Sequence, residues 1–253
     1  MLATAIARLA GVYALRVYLP ASLAARALRD TSRTLRGKAG AAPTRLPQTV
    51  WSQVLTSQPI ELAETAKSDG NVRLSELAIL ALAAGEAPAG SEIIEIGTFD
   101  GRTALNLAIN ADPGVSVATL DLPPDQPSAL GIEQSERRYV DKPAPGARLR
   151  RCAAPWRTAA ARVTQLHGDS ATYDWSAHLG RAGLVFVDGS HAYDYARTDS
   201  ETALRLVAPG GIVLWHDYGV WDGVTRALEE LDAARALGLV NIRGTSLVFW
   251  RAG

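Results

Sequence analysis

The sequence predicts an α/β fold: a seven-stranded sheet, mostly parallel, with helices on both faces. From Ser91 onward, short apolar runs alternate with helical patterns, which is typical of proteins built on a parallel sheet. The last two runs, 239–242 and 246–250, are separated by only three residues. Such a short connection predicts a hairpin, so the final strand is expected to run antiparallel to the others.

The chain is predicted to have two parts, a helical extension over residues 1–85 and the sheet domain over residues 86–253. Pro20 is expected to end a first helix. The remaining expected segments of the extension are a helix over about 21–36, a Gly- and Pro-containing linker over 37–47, and further helix over 48–85. A long insertion is expected at about 122–162, between the second and third strands, where such loops are usually functional.

Charge is balanced over the whole chain but not along it. The 253 residues carry 26 Lys and Arg against 26 Asp and Glu, so no general affinity for nucleic acid is expected. The first 50 residues carry eight Arg or Lys and one Asp. The only cysteine, Cys152, excludes an internal disulfide and favours a reducing compartment, here the cytoplasm.

The N-terminal helix is expected to be amphipathic, because five large apolar residues fall on one helical stripe: Leu2, Ile6, Leu9, Tyr13 and Val17. Three partners for this stripe stay open, namely the domain itself, a second subunit of a homo-oligomer, and an anionic membrane surface. No membrane span is expected, because Arg8 and Arg16 interrupt the apolar stretch.

Polar residues follow the predicted strands at five consecutive ends. The first end carries Glu95, Gly97, Thr98, Gly101 and Thr103. The next four carry Asp121, then Asp169 and Ser170, then Asp188, then His216 and Asp217. Ligands of open α/β sheets bind at the carboxyl ends of the strands, so these residues are expected to surround one site.

These residues resemble the class I S-adenosylmethionine-dependent methyltransferases over about 90–253, a Rossmann-like family whose sheet ends in the same hairpin. Glu95-x-Gly97-x-x-x-Gly101 resembles the first motif, with Thr98 and Thr103 in the same segment. The resemblance implies that Asp121 binds the ribose and that Asp169 and Ser170 contact the adenine. The run VDGSHAYDY, residues 187–195, is similar to enzymes that often methylate a hydroxyl of a small molecule or carbohydrate.

Two further roles are implied for the end of the sheet. His191 has an ordinary pKa near neutrality, which suits a base that takes the proton of an acceptor hydroxyl. The resemblance to metal-dependent sugar O-methyltransferases implies a divalent cation, such as magnesium, on Asp188, His216 and Asp217. Magnesium prefers oxygen ligands, so either the metal differs, or His216 is not a ligand, or no metal is bound.

Alternative functions on a similar sheet are an NAD-dependent oxidoreductase and a metal-dependent oxygenase. The dinucleotide fingerprint G-x-G-x-x-G is absent, which argues against the first. The adjacent His216 and Asp217 suggest the second. Five arginines in the insertion suit either an anionic acceptor or a loop that is solvated or contacts another subunit: Arg137, Arg138, Arg148, Arg150 and Arg151.

Overall fold

The computed structural model describes residues 1–25, 44–132, 134–140 and 145–253. Within these residues the sheet has eight strands in the order β1-β7-β8-β6-β5-β2-β3-β4. In chain order the strands are β1 Gln48–Thr49, β2 Glu92–Ile96, β3 Ser116–Asp121, β4 Val163–His167, β5 Ala182–Val187, β6 Val207–Trp215, β7 Val240–Ile242 and β8 Val248–Arg251.

The predicted sheet is confirmed, with one additional strand. All seven apolar runs form strands, and β8 is antiparallel to both β6 and β7, while the other neighbouring pairs are parallel. The additional strand is β1, two residues long, which pairs with β7 at the edge of the sheet. Two residues leave no periodic pattern, so this strand was beyond sequence-based prediction.

Helices surround the sheet. In chain order they are α1 Leu2–Tyr13, α2 Trp51–Val54, α3 Leu74–Ala84, α4 Arg102–Asn110, α5 Arg137–Val140, α6 Ala147–Arg151, α7 Arg157–Ala160, α8 Tyr193–Leu206 and α9 Asp222–Arg235. A π-helical turn, Ala14–Tyr18, continues α1, and 3₁₀ turns cover Gln134–Glu136 and Ser176–His178.

The central strands are buried on both faces. Along β5, Leu184 and Phe186 pack in the cluster that contains α3, while Val185 and Val187 pack in the cluster that contains α8 and α9. This alternation follows from the two-residue period of a strand. It explains why β5 and the end of β6 are continuous apolar runs, and it leaves polar positions only where the strands end.

The expectation that Pro20 ends the first helix is wrong, because the helix continues from Leu2 to Ala25. Just before the proline, the N–H of Leu19 bonds to the carbonyl of Ala14, one residue further back than in an α-helix. A wider turn of this kind shifts the hydrogen-bond pattern at the place where proline removes a donor. Residues 26–43, which include most of the predicted second helix and linker, lie outside the described residues.

The helix Leu2–Ala25 is also long and apolar enough, by length and composition alone, to cross a membrane. The expectation that Arg8 and Arg16 exclude this is therefore wrong on that criterion. Arg8 forms an ion pair with Glu61 at 2.9 Å. The core cluster beside α3 includes Ala14 from the same helix, so the first residues pack on the sheet domain. A division of the chain at residue 85 stays a prediction.

The prediction of helix throughout 48–85 is only partly right, since the backbone between α2 and α3 is irregular. Asparagine side chains on α4 satisfy this backbone. Asn106 bonds both the N–H and the carbonyl of Ala63, at 2.9 and 3.0 Å, and Asn110 bonds both groups of Glu61 at 2.8 Å. These partners replace the hydrogen bonds that a helix would have made.

Candidate active site

A cavity of about 590 Å³ opens at the carboxyl ends of the strands, the edge expected for a ligand. It is within the usual range for small-molecule sites. Eight of the predicted site residues line it: Gly97, Asp121, Asp169, Ser170, Asp188, His191, His216 and Asp217. The lining also includes Glu76, Phe99, Glu136, Tyr139 and Trp221.

Four residues predicted to bind the cofactor lie outside this lining: Glu95, Thr98, Gly101 and Thr103. The Glu95 carboxylate accepts a hydrogen bond from the Thr119 hydroxyl at 2.5 Å, and Thr119 is 2.7 Å from the Thr98 hydroxyl. Burial raises the pKa of Glu95 well above its ordinary value. The side chains of Glu95 and Thr98 therefore face the interior of the sheet domain, where their hydrogen bonds hold the loop after β2 in place.

Glycine is required at two positions of that loop. Gly97 has φ +105°, and a Cβ there would lie 2.0 Å from the carbonyl oxygen of Asp188. The ends of β2 and β5 therefore meet at a point where no side chain fits. Gly101 has φ +85°, and a Cβ there would lie 2.8 Å from the side chain of Leu149 in α6. This glycine lets the insertion pack on the loop, which differs from its expected role against the cofactor.

Acids on the β2–β4 side of the cavity are held by backbone N–H groups and one phenol. Asp121 accepts the N–H of Phe99 at 2.7 Å. Asp169 accepts the N–H groups of Ala129 and Ala171, at 2.6 and 2.9 Å, and the hydroxyl of Tyr195 at 2.5 Å. Such partners fix the positions of both carboxylates, and this half of the cavity is a preorganised polar wall.

The end of β6 turns sharply, so that two adjacent side chains reach the same cluster. The strand ends at Trp215, and Asp217 has φ +65°, a left-handed conformation that aspartate tolerates. As a result His216 Nδ1 lies 2.9 Å from Asp188 Oδ1 and 3.3 Å from Asp217 Oδ2. In a continuing strand these neighbours would have pointed to opposite faces.

Carboxylates occupy both ring nitrogens of His216, since Nε2 lies 3.3 Å from Glu76 Oε2. Burial opposes a charge here, but the neighbouring Asp188, Asp217 and Glu76 raise the pKa of His216 well above its ordinary value. A protonated imidazole has no lone pair for a cation. His216 could hold a metal only after losing its second proton, so its assignment as a metal ligand stays a prediction.

His191 lies between two acids and on an indole ring. Its Nε2 is 2.6 Å from Asp217 Oδ2. Its Nδ1 is 2.5 Å from Glu136 Oε1, and this second contact is an ion pair whose angles do not meet those of a hydrogen bond. The ring stacks on Trp221, with centroids 4.5 Å apart and planes within 4°. Burial would lower the pKa of His191, but the two acids outweigh it and raise the pKa to about 9.

Asp217 is stabilised in its ionised form by the same contacts. Burial alone would raise its pKa, but His216 and His191 hold the pKa well below its ordinary value. His191 is thus charged at neutral pH in this arrangement, which differs from the neutral base expected from its ordinary pKa. The β5–β6 side of the cavity is a network of paired acids and imidazoles.

Two acids of this network were missed in the sequence. Glu76 is fully buried in α3, where it pairs with Arg73 and accepts both the N–H and the hydroxyl of Ser246 at 2.9 Å. An isolated acid in an otherwise apolar helical pattern was the available signal for it. Glu136 comes from the insertion, where it accepts the Ser190 hydroxyl at 2.9 Å, and no motif marks it.

Asp188, His191 and Asp217 could together hold a divalent cation, provided that His191 has lost its second proton. Each offers one ligand atom, and within the described part of the chain these atoms lie within 4.8 Å of one another. The set contains His191 where the sequence predicted His216. Two carboxylates and an imidazole suit zinc, manganese or iron better than magnesium.

The arginines of the insertion do not meet the expectation of an anion-binding wall. Among the residues that the structure describes, none of the five lines the cavity. Arg148 pairs with Asp100 at 2.9 Å and with Glu64 at 3.1 Å, which fixes α6 to the loop after β2. Arg138 contacts the hydroxyl of Tyr139 at 2.6 Å. The charge of Arg148 is thus used between segments of the protein.

Comparisons with known proteins agree with this architecture. Residues 94–218 match the family model of a methyltransferase domain. No curated protein sequence matches the chain.

Three solved structures share the fold. The O-methyltransferase NovP is 16% identical, with a TM-score of 0.55 over 71% of this chain and 80% of that one. CalS11, a calicheamicin methyltransferase, is 16% identical, with a TM-score of 0.53 over 70% and 77%. TomG from Streptomyces achromogenes, an O-methyltransferase solved with S-adenosylmethionine, is 22% identical, with a TM-score of 0.50 over 73% and 83%.

The fold, the cavity and the matched domain define a Rossmann-like enzyme of the transferase class. The chain is a class I S-adenosylmethionine-dependent methyltransferase, as the motifs at the strand ends predicted. The oxidoreductase and oxygenase alternatives are not favoured.

Proposed function

We propose that the protein transfers a methyl group from S-adenosylmethionine to a hydroxyl oxygen of a small or carbohydrate-like acceptor. The observation that carries the proposal is His191, which lies in the cavity wall between Glu136 and Asp217 and stacks on Trp221. NovP and TomG, which share the fold, are O-methyltransferases.

The cavity suits the methyl donor. When bound, S-adenosylmethionine supplies a methyl group on a sulfonium, a cation. Gly97 lines the cavity at the point where the ends of β2 and β5 meet, and Asp121 stands in the wall as an acceptor for ribose hydroxyls. The acids of the wall favour a cation over an anion. We assign donor binding to Gly97, Asp121, Asp169 and Ser170.

The residues of the β5–β6 side handle the acceptor and its proton. A hydroxyl is a poor nucleophile until its proton is removed, and His191 in its neutral form accepts that proton at Nδ1 or Nε2. Asp188 and Asp217 orient the network, and Trp221 holds the imidazole plane. Because the pKa of His191 is about 9, the neutral fraction, and with it turnover, is expected to rise as pH increases toward that value.

We also propose a divalent cation on Asp188, Asp217 and His191. Its chemistry would be to lower the pKa of the acceptor hydroxyl. In that case neutral His191 would be a ligand and not the base. Elemental analysis of the purified protein, with activity measured before and after chelation, separates the two versions. Full activity in metal-free protein would exclude the cation.

Calorimetry with S-adenosylmethionine and with NAD tests the donor, and binding of the first alone is expected. Incubation with labelled donor and a cell extract, followed by identification of the labelled product, tests the acceptor. A labelled hydroxyl on a small molecule is expected, and a product labelled at nitrogen or carbon would contradict the proposal. We expect the enzyme to work in the cytoplasm, since its single cysteine excludes an internal disulfide.

A further inference from the structure

The N-terminal helix packs on the domain through its small residues. Ala7, Gly11 and Ala14 are buried, and a Cβ on Gly11 would lie only 2.7 Å from the side chain of Ile60. The large apolar residues that the sequence predicts as one stripe are on the opposite side and exposed, with Leu9 at 69% and Ile6 at 57%. The exposed apolar face comprises Met1, Leu2, Ile6, Leu9, Val12, Tyr13 and Val17.

A patch of this kind is unusual on a soluble domain and indicates a contact surface. The helix cannot be surrounded by lipid in this position, because its other side is occupied by the protein. The carbonyl of Ala7 accepts the N–H of Leu62 at 3.0 Å, and Arg8 pairs with Glu61. Only one side of the helix is therefore free to meet a partner. Such a partner is a surface, because a helix that spans a membrane is surrounded by lipid.

The charge of the N-terminal segment favours one of two possible partners, a second copy of the chain or a lipid surface. Residues 1–25 contain no Asp or Glu, and the first 50 residues carry eight Arg or Lys against one Asp. A second copy of the helix over residues 1–25 would bring another segment with Arg8 and Arg16 and no acid, which offers no charge complementarity. An anionic surface is complementary to this charge, and apolar contact together with basic residues is the combination that holds a helix at a lipid interface.

We propose that the exposed apolar face of the N-terminal helix docks on an anionic phospholipid membrane, with the helix lying flat in the interface. The apolar side chains enter the boundary between headgroups and acyl chains. Arg16, which is exposed on the same helix, contacts the headgroups. The proposal is independent of the methyl acceptor, since this helix face is separate from the cavity lining.

Co-sedimentation of the full-length protein with vesicles tests this inference. One set of vesicles is phosphatidylcholine alone and the other contains phosphatidylglycerol as well. Binding to the anionic vesicles is expected, with release at high salt because the headgroup attraction is screened. The double variant Ile6→Gln and Leu9→Gln is expected to bind at least about tenfold more weakly, since two apolar side chains no longer enter the lipid.

The matched control is Leu179→Gln, which removes an exposed apolar side chain, 41% exposed, elsewhere on the surface. It should bind like the parent, and circular dichroism should show that both variants are folded. Three results would overturn the proposal. The first is that the double variant binds vesicles as well as the parent. The second is that the bound parent is released by detergent but not by salt. The third is that neither protein binds vesicles and that the double variant loses a dimer that light scattering detects in the parent.

Discussion

The two halves of the cavity hold their acids in different ways. On the β2–β4 side, Asp121 and Asp169 accept hydrogen bonds mainly from backbone N–H groups, which do not titrate. On the β5–β6 side, Asp188 and Asp217 face imidazoles, which do. The first half therefore has a fixed charge and shape, whereas the second changes charge with pH. The contrast suggests that one half binds the donor and the other half moves the proton.

Loss of the imidazole on the proton-handling side is expected to have the largest effect. His191→Gln keeps a polar side chain of similar reach but cannot accept a proton near neutral pH. Turnover should fall by about 10²- to 10⁴-fold, while the dissociation constant of the donor, measured by calorimetry, should change little. His178→Gln is the matched control, because His178 pairs with Glu92 and does not line the cavity. Equal turnover in both variants would remove His191 from the mechanism.

A buried acid that belongs to neither half provides a second test. Asp199 is fully buried, and neither of its oxygens has a hydrogen bond of good geometry within the described residues. Burial raises its pKa from 3.8 to about 7, an effect that Ser170 only partly offsets. The folded protein keeps this proton up to about pH 7, whereas the unfolded chain loses it near 3.8. Stability therefore falls as pH rises through that window.

Asp199→Asn should remove this loss. The variant is expected to exceed the parent by up to about 4 kcal/mol in free energy of unfolding above about pH 7, and to match it below about pH 4. Denaturant unfolding at several pH values measures the difference. Asp194→Asn, an exposed position on the same helix, is the control and should show little pH dependence. A constant difference across pH would show that Asp199 has the same pKa in the folded and the unfolded chain, so that burial does not raise it.

Asp121 tests the donor-binding half. Asp121→Asn can still accept the N–H of Phe99 but loses the charge that strengthens hydrogen bonds from ribose hydroxyls. Donor affinity should fall by about tenfold or more, and turnover at saturating donor should stay within a few-fold of the parent. Asp125→Asn, an exposed change four residues away, is the control. A lower turnover with unchanged affinity would contradict the division of labour between the halves.

Topology made much of this site predictable. Apolar runs such as 184–187 are recognisable because both faces of the strand are buried, and parallel strands bring their carboxyl ends to one edge. Asp121, Asp188 and Asp217 therefore lie together although they are distant in the chain. Glu95 in β2 and Gly101 in the loop after it matched a motif, but both pack inside the domain and lie outside the cavity lining.

The remaining features depend on contacts that leave no local pattern. Glu76 meets His216 across 140 positions, and Glu136 meets His191 across 55. The irregular backbone between α2 and α3 exists because Asn106 and Asn110, over 40 positions away, supply its partners. The pKa of His191 is raised by the two acids beside it, Asp217 and Glu136. The sequence does not show that these acids are neighbours of the histidine, so the shift could not be predicted from it.

Glu136 gives the smallest and most specific prediction. Glu136→Gln removes one of the two negative charges beside His191 and keeps the shape of the side chain. With less stabilisation of the protonated ring, the pKa of His191 should fall below about 9, and the rise of turnover with pH should move to lower pH. Because more of the ring is then neutral near pH 7, turnover at that pH should hold or increase even though Glu136 orients the imidazole. Glu136→Ala loses the orientation as well, so its turnover should fall at every pH. An unchanged pH profile in the glutamine variant would mean that Glu136 only packs against the histidine, and that Asp217 alone sets its charge.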